Sequence, residues 1–175
     1  MSDLKFINET SISSGVTTID VDNVFSSDYD VYFCQIIGLH HNTNVSNGVE
    51  GIRLIDNSGS VVTQSEYEYA TQVLKGDTTF QEVISTSNTF MSMYLITDQQ
   101  TDGQASASFY FYQPYNTSSY TFMQYQSMGK NSGSTWGGKG VAVHKGLEAI
   151  RGFQLYESNA ARTFGGGLIR VYGIS

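Results

Sequence analysis

The sequence predicts an all-β protein, a two-sheet antiparallel sandwich of jelly-roll-like type with about eight to ten strands. Three observations predict it. Val, Ile, Phe, Tyr and Thr total 63 residues and Ala, Leu, Glu, Lys and Arg only 31, a two-to-one excess of residues that suit a pleated surface over helix formers. Several runs alternate apolar and polar residues at period two. Turn signals recur between short runs, with no helical stretch of the kind that βαβ units require. The 175 residues are expected to form one β-sandwich domain, 1–175, without a linker; the single proline is Pro114.

The elements follow in order. Leu4 to Ile12 reads as a first strand, ended by Ser13-Ser14-Gly15. Val16 to Val21 is the second. Asp22-Asn23 and Ser26-Ser27-Asp28 are turn clusters that bracket Val24 and Phe25, a short plug into the core. Tyr29 to Leu39 is the strongest strand. Val31, Phe33, Ile37 and Leu39 share one parity and Tyr32, Cys34 and Ile36 the other, which predicts a central strand covered on both faces. His40 to Gly48 reads as a polar loop.

Glu50 to Asp56 is a strand turning through Asn57-Ser58-Gly59 into Val61 and Val62. Tyr67 to Leu74 fits a strand or a helical turn, because Tyr67, Ala70 and Leu74 also match helical spacing. Phe80 to Ile84, Thr89 to Thr97, Ala105 to Gln113 and Ser119 to Met128 are strands. In the third of these, Phe109 and Phe111 alternate with Tyr110 and Tyr112, one face buried and one half-wet or touching a partner. Gly129 to Gly140 reads as a glycine-rich loop. Val141 to His144, Ile150 to Tyr156 and Leu168 to Ile174 complete the set.

Composition excludes several classes. Charged residues are 14% of the chain and the net charge is −7, which argues against a phosphate-backbone partner. No 18-residue apolar run is present, so no membrane partner is expected. Met1 to Lys5 shows no basic region leading into an apolar stretch, so no secretory leader is expected. A single cysteine, Cys34, excludes an internal disulfide and a multi-cysteine metal site; its apolar strand predicts a buried thiol.

The motifs that carry chemistry are weak. Gly133 to Lys139 matches G-x-x-x-x-G-K, but Gly140 stands where Ser or Thr must follow, and no helix does. His40 and His41 are adjacent and point apart on an extended chain, with His144 far away, so they read as solvated loop histidines. Asp20, Asp22, Asp28 and Asp30 lack the glycine and closing Glu of a calcium loop and read as turn formers. Glu66 and Glu68 are the nearest approach to a catalytic carboxylate pair, an i, i+2 pair on one strand face. No catalytic residue, cofactor or metal ligand is therefore assigned. Trp136, the only tryptophan, with Tyr110, Tyr112, Tyr115, Tyr120 and Tyr125, is the candidate contact surface for a partner or receptor.

The two ends resemble a known group. Asp22-Asn23-Val24-Phe25, then Ser26 and Tyr29-Asp30 before a long apolar strand, and Gly165-Gly166-Gly167 leading to Arg170-Val171-Tyr172-Gly173, are similar to small virion β-proteins encoded by tailed bacteriophages of marine and cyanobacterial type. The stretch 40–148 lies outside the resemblance. It implies a jelly-roll-like virion structural protein, without enzymatic activity, that decorates the capsid or head surface. It further implies a homotrimer, contacts with the major capsid protein or with tail and fibre proteins, and a place in the virion after assembly in the host cytoplasm. No fibre shaft or heptad stretch accompanies the unit, so a free-standing protein is expected. The alternatives are a tail or fibre component that binds a receptor or host-surface glycan, and a glycan depolymerase.

Overall fold

A computed structural model describes residues 3–42, 50–95, 104–131 and 134–175. Two antiparallel sheets face each other. The larger contains eight strands: β1 (Leu4–Ser11), β3 (Val31–His41), β5 (Tyr67–Lys75), β6 (Gln81–Asn88), β8 (Ala105–Tyr112), β9 (Thr121–Asn131), β10 (Ser134–His144) and β12 (Phe164–Ile174), in the order β1-β12-β3-β8-β9-β10-β5-β6. The smaller contains β2 (Thr18–Val21), β4 (Glu50–Asp56), β7 (Met91–Ser92) and β11 (Ile150–Glu157), in the order β2-β11-β4-β7. The all-β sandwich that the composition and alternation predict is the fold observed.

The core lies between the sheets and is rich in rings. Phe25, Tyr32, Phe109, Phe111 and Phe153 are buried and meet at centroid distances of 4.6 to 6.0 Å. Buried tyrosines tie loops to this core. The Tyr32 hydroxyl donates to the Ser26 carbonyl and accepts from its N–H. The Tyr67 hydroxyl donates to Val62 O and accepts from Leu54 N. Each ring thus buries apolar area while its polar end stays satisfied.

The two segments that carry the phage resemblance pack on each other. β2 pairs with β11 and β3 with β12. Val24 and Phe25 donate their N–H groups to Arg151 O, and the Arg151 guanidinium grips Asp22. A Cβ on Gly152 would meet Val21 O at 2.4 Å, so only glycine fits at that crossing. The Val24–Phe25 plug is buried as the sequence predicts.

Other local readings change. Tyr67 to Leu74 is strand, not helix, because its inward residues Tyr67, Thr71 and Val73 fit period two against β10. The glycine-rich stretch is not a loop: residues 134–140 lie in β10, between β9 and β5. Glycine serves there by close approach, since a Cβ on Gly140 would lie 2.7 Å from the Tyr125 ring. Of Thr89 to Thr97, only Met91–Ser92 forms a strand among the described residues. His40 and His41 belong to β3; residues 43–48 of the expected loop lie outside the described residues.

The largest departure concerns β3. It is central in its sheet, but only its Tyr32, Cys34 and Ile36 face is covered by the second sheet. Phe33 is half-buried and Ile37 is exposed. The chain does not cover both faces that the sequence marks as apolar.

Candidate functional site

Strand register turns that uncovered face into rows. Phe6, Tyr172, Phe33, Tyr110, Gln124, Val141, Ala70 and Ile84 stand opposite one another in sequence across all eight strands. A second row beside it runs Leu4, Ile174, Val31, Tyr112, Phe122, Val143 and Glu68. On the other side lies a polar row, Glu9, Arg170, Gln35, Ser108, Gln126, Lys139, Gln72 and Glu82. Ring contacts run along the first two: Phe6–Tyr172, Tyr172–Phe33, Phe33–Tyr110 and Tyr110–Tyr112, at 5.0 to 6.4 Å between centroids.

Much of this apolar surface is open. Ile84 is 72% exposed, Leu4 59%, Phe6 57%, Val141 57% and Phe122 48%. The outer face of the small sheet differs. There Gln154 bonds Asp20 and the Arg53 guanidinium lies 3.6 Å over the Tyr156 ring, so polar groups satisfy one another. A shallow trough follows the large sheet over β5, β6, β9 and β10. One part, of about 620 Å³, is lined by Gln72, Glu82, Gln124, Gln126 and Lys139 over a floor that includes Ala70 and Val141. The adjoining part, of about 550 Å³, reaches Leu74, Phe80, Met128 and Trp136.

The candidate contact residues do not share one surface. Tyr110 and Tyr112 lie in the apolar rows. Tyr120 is exposed beside β9, and Tyr115 donates to Asn57 across a turn. Tyr125 is buried; its hydroxyl pairs with Thr71 Oγ1 at 2.7 Å and accepts from Tyr94 N, and burial raises its pKa. Trp136 is not a loop tip. It stacks on Tyr94 with 6° between ring planes, and the Lys75 ammonium sits 4.1 Å from its centroid. Cys34 is fully buried as predicted, and burial raises its pKa.

Histidine placement is what the sequence reading missed. His41 is not a solvated loop residue: it is buried among Glu50, Glu157 and Arg162. Arg162 reaches Glu50 Oε1 at 3.0 Å, His41 Nδ1 at 3.0 Å and Glu157 Oε2 at 3.5 Å. One guanidinium thus serves two buried carboxyls. Burial outweighs its pull on Glu50 and raises that pKa to about 8, so Glu50 carries a proton at neutral pH beside the charged arginine. Burial lowers the His41 pKa, partly offset by Glu157. His41, Glu50 and Glu157 could together hold a metal, but Arg162 already supplies the cation there.

His144 forms a second cluster with Glu66 and Glu148, at 3.3 and 3.6 Å from its Nε2. Glu66 and Glu68 are not a working pair: Glu66 turns to His144 and Glu68 to Lys145. Of the four clustered aspartates, Asp22 binds Arg151, Asp20 accepts from Gln154 and Asp28 accepts from Ser26. Neither histidine cluster is complete within one stretch of sequence: Glu50 and Glu148 lie near their histidines, but Glu157, Arg162 and Glu66 come from distant parts of the chain.

No protein-family model matches the chain, and no curated protein matches its sequence. Among solved structures, the fold is similar to the marine PL-14 alginate lyase from Aplysia kurodai, at 9% identity and a TM-score of 0.40 over 87% of this chain and 72% of that one. A fainter likeness is to the infectious bursal disease virus VP2 subviral particle, at 16% identity and a TM-score of 0.15, where this chain spans 39% of the other. The first of these is an enzyme, and the expectation of a protein without enzymatic activity is corrected on that finding.

Proposed function

We propose that this chain is a virion structural protein that assembles through the outer face of its eight-stranded sheet. The observation that carries the reading is the pair of apolar rows. A soluble domain that stood alone would set polar residues on that face, as the small sheet here does. Two adjoining rows of exposed Phe, Tyr, Ile and Val have the composition of an interface core, and the polar row beside them that of its rim. Homotrimer formation and docking onto a neighbouring head protein cover the surface; the virion setting comes from the resemblance of the two ends. Attachment to tail or fibre is the variant of the same reading.

Light scattering on the purified chain tests it, with Phe122→Glu and Val141→Lys as disrupting variants. Three times the 19.3 kDa chain mass, falling to one in the variants, supports the trimer. Mass spectrometry of purified particles tests the setting: many copies per particle support a head protein, few a tail component, and absence overturns the virion reading.

A carbohydrate-directed reading has its own observation. The trough lined by Gln72, Gln124 and Gln126 presents side-chain amides to an extended ligand, with Lys139 and Glu82 adding one charge of each sign. Titration with neutral and acidic oligosaccharides, and an assay for their cleavage, tests it; Gln126→Ala with Lys139→Ala should abolish both.

A further inference from the structure

Glu66, His144 and Glu148 reach one point from three stretches: the turn before β5, the end of β10 and the loop that enters β11. His144 is fully buried, and neither of its ring nitrogens has a hydrogen-bond partner among the described residues. Its Nε2 is aimed at the two carboxylates, and the three ligand atoms lie within 4.8 Å of one another. A charge-assisted bond from the ring would measure about 2.7–2.9 Å. The observed 3.3 and 3.6 Å are longer. They bracket the edge of about 3.4 Å expected between ligands that each sit about 2.1 Å from one tetrahedral ion.

We propose that Glu66, His144 and Glu148 bind one divalent transition-metal ion, of which zinc is the best fit. One imidazole and two carboxylates are the borderline donor set that zinc accepts. The Glu66 and Glu148 side chains are 45% and 40% exposed, which leaves the open side of the ion to water. Gly146 keeps the approach clear, because a Cβ there would lie 2.9 Å from His144 Nε2 and 3.0 Å from Glu148 Oε1. The adjacent ammonium does not compete, since Lys145 is held by Glu68 Oε1 at 2.8 Å and by Thr86 O. This separates the site from the His41 cluster, where Arg162 supplies the positive charge. The ion would tie β10 of the large sheet to the loop entering β11 of the small one.

Isothermal titration of the full chain with zinc chloride tests the proposal. One ion per chain is expected, with a rise in melting temperature. Glu66→Gln and Glu148→Gln should each weaken binding about tenfold or more, and the double variant should abolish it. Both residues are half-exposed, so circular dichroism should show these variants folded. Glu9→Gln, on β1 and paired with Arg170, leaves the three ligands and the partners of Lys145 intact and should keep full affinity. Cobalt in place of zinc should give a visible absorption band that the double variant loses. No binding at millimolar zinc, or binding that the double variant retains, overturns the proposal.

Discussion

Arg162 donates to Glu50 Oε1 at 3.0 Å in a space where both residues are buried. The pair is asymmetric, because Glu157 shares the same guanidinium. Two carboxyls and one fixed cation leave one carboxyl to hold a proton, and Glu50 holds it.

A pH optimum for folding follows. Glu50 in the fold titrates near 8 against an ordinary 4.5, so the folded state binds the extra proton between those values. Its contribution is full below about 4.5 and is lost as pH rises through about 8. His41 and His144 act oppositely: both pKa values are lowered from 6.5, so stability is lost as pH falls below that value. From these groups, denaturant titrations should show a maximum near pH 6.5. Glu50→Gln should flatten the alkaline limb; an unchanged slope in that variant would refute the assignment.

Removing the cation should cost far more than removing the proton. Arg162→Ala leaves buried Glu157 without its guanidinium, and a loss of about 3–5 kcal/mol is expected. Urea midpoints measure it. A loss under about 1 kcal/mol would mean that water enters and takes over the arginine's role.

Phe111 and Phe33 separate the core from the proposed interface. Phe111 is fully buried between the sheets, so Phe111→Ala should cost about 3–5 kcal/mol at any protein concentration. Phe33 lies in the outer apolar row, so Phe33→Ala should act mainly through assembly. Its melting temperature should therefore differ from the parent's more at high concentration than at low. Equal shifts at both concentrations would speak against an outer-face interface.

Tyr67→Phe isolates a polar anchor. The change keeps the ring and deletes a hydroxyl that donates to Val62 O and accepts from Leu54 N. About 1–3 kcal/mol should be lost, because a buried donor and acceptor are left unsatisfied. Amide exchange at Leu54 should rise in the same variant.

Much of the fold was legible in the chain because alternation is local. Phe109 and Phe111 against Tyr110 and Tyr112 assigned the two faces of β8 without any partner strand. The same logic failed for residues 134–140, since glycine carries no face signal and the strand is defined by β9 and β5. Tyr110 and Tyr125 look alike in sequence, yet they face opposite sides of the sheet. The histidine clusters were illegible for another reason. Glu157 and Arg162 lie more than a hundred positions from His41, and Glu66 lies far from His144, so only the pairing of strands brings them together.

The polar row from Glu9 to Glu82 has a consequence for any occupant of the outer face. Successive same-face rows lie about 7 Å apart along the strands. A partner that slid by one row would press methyl and ring surface onto the Lys139 ammonium and the Arg170 guanidinium, stripping both of water. The surface is shaped as a keyway, sticky across the strands and selective along them, so that a partner seated there would lock at one offset and refuse its neighbours.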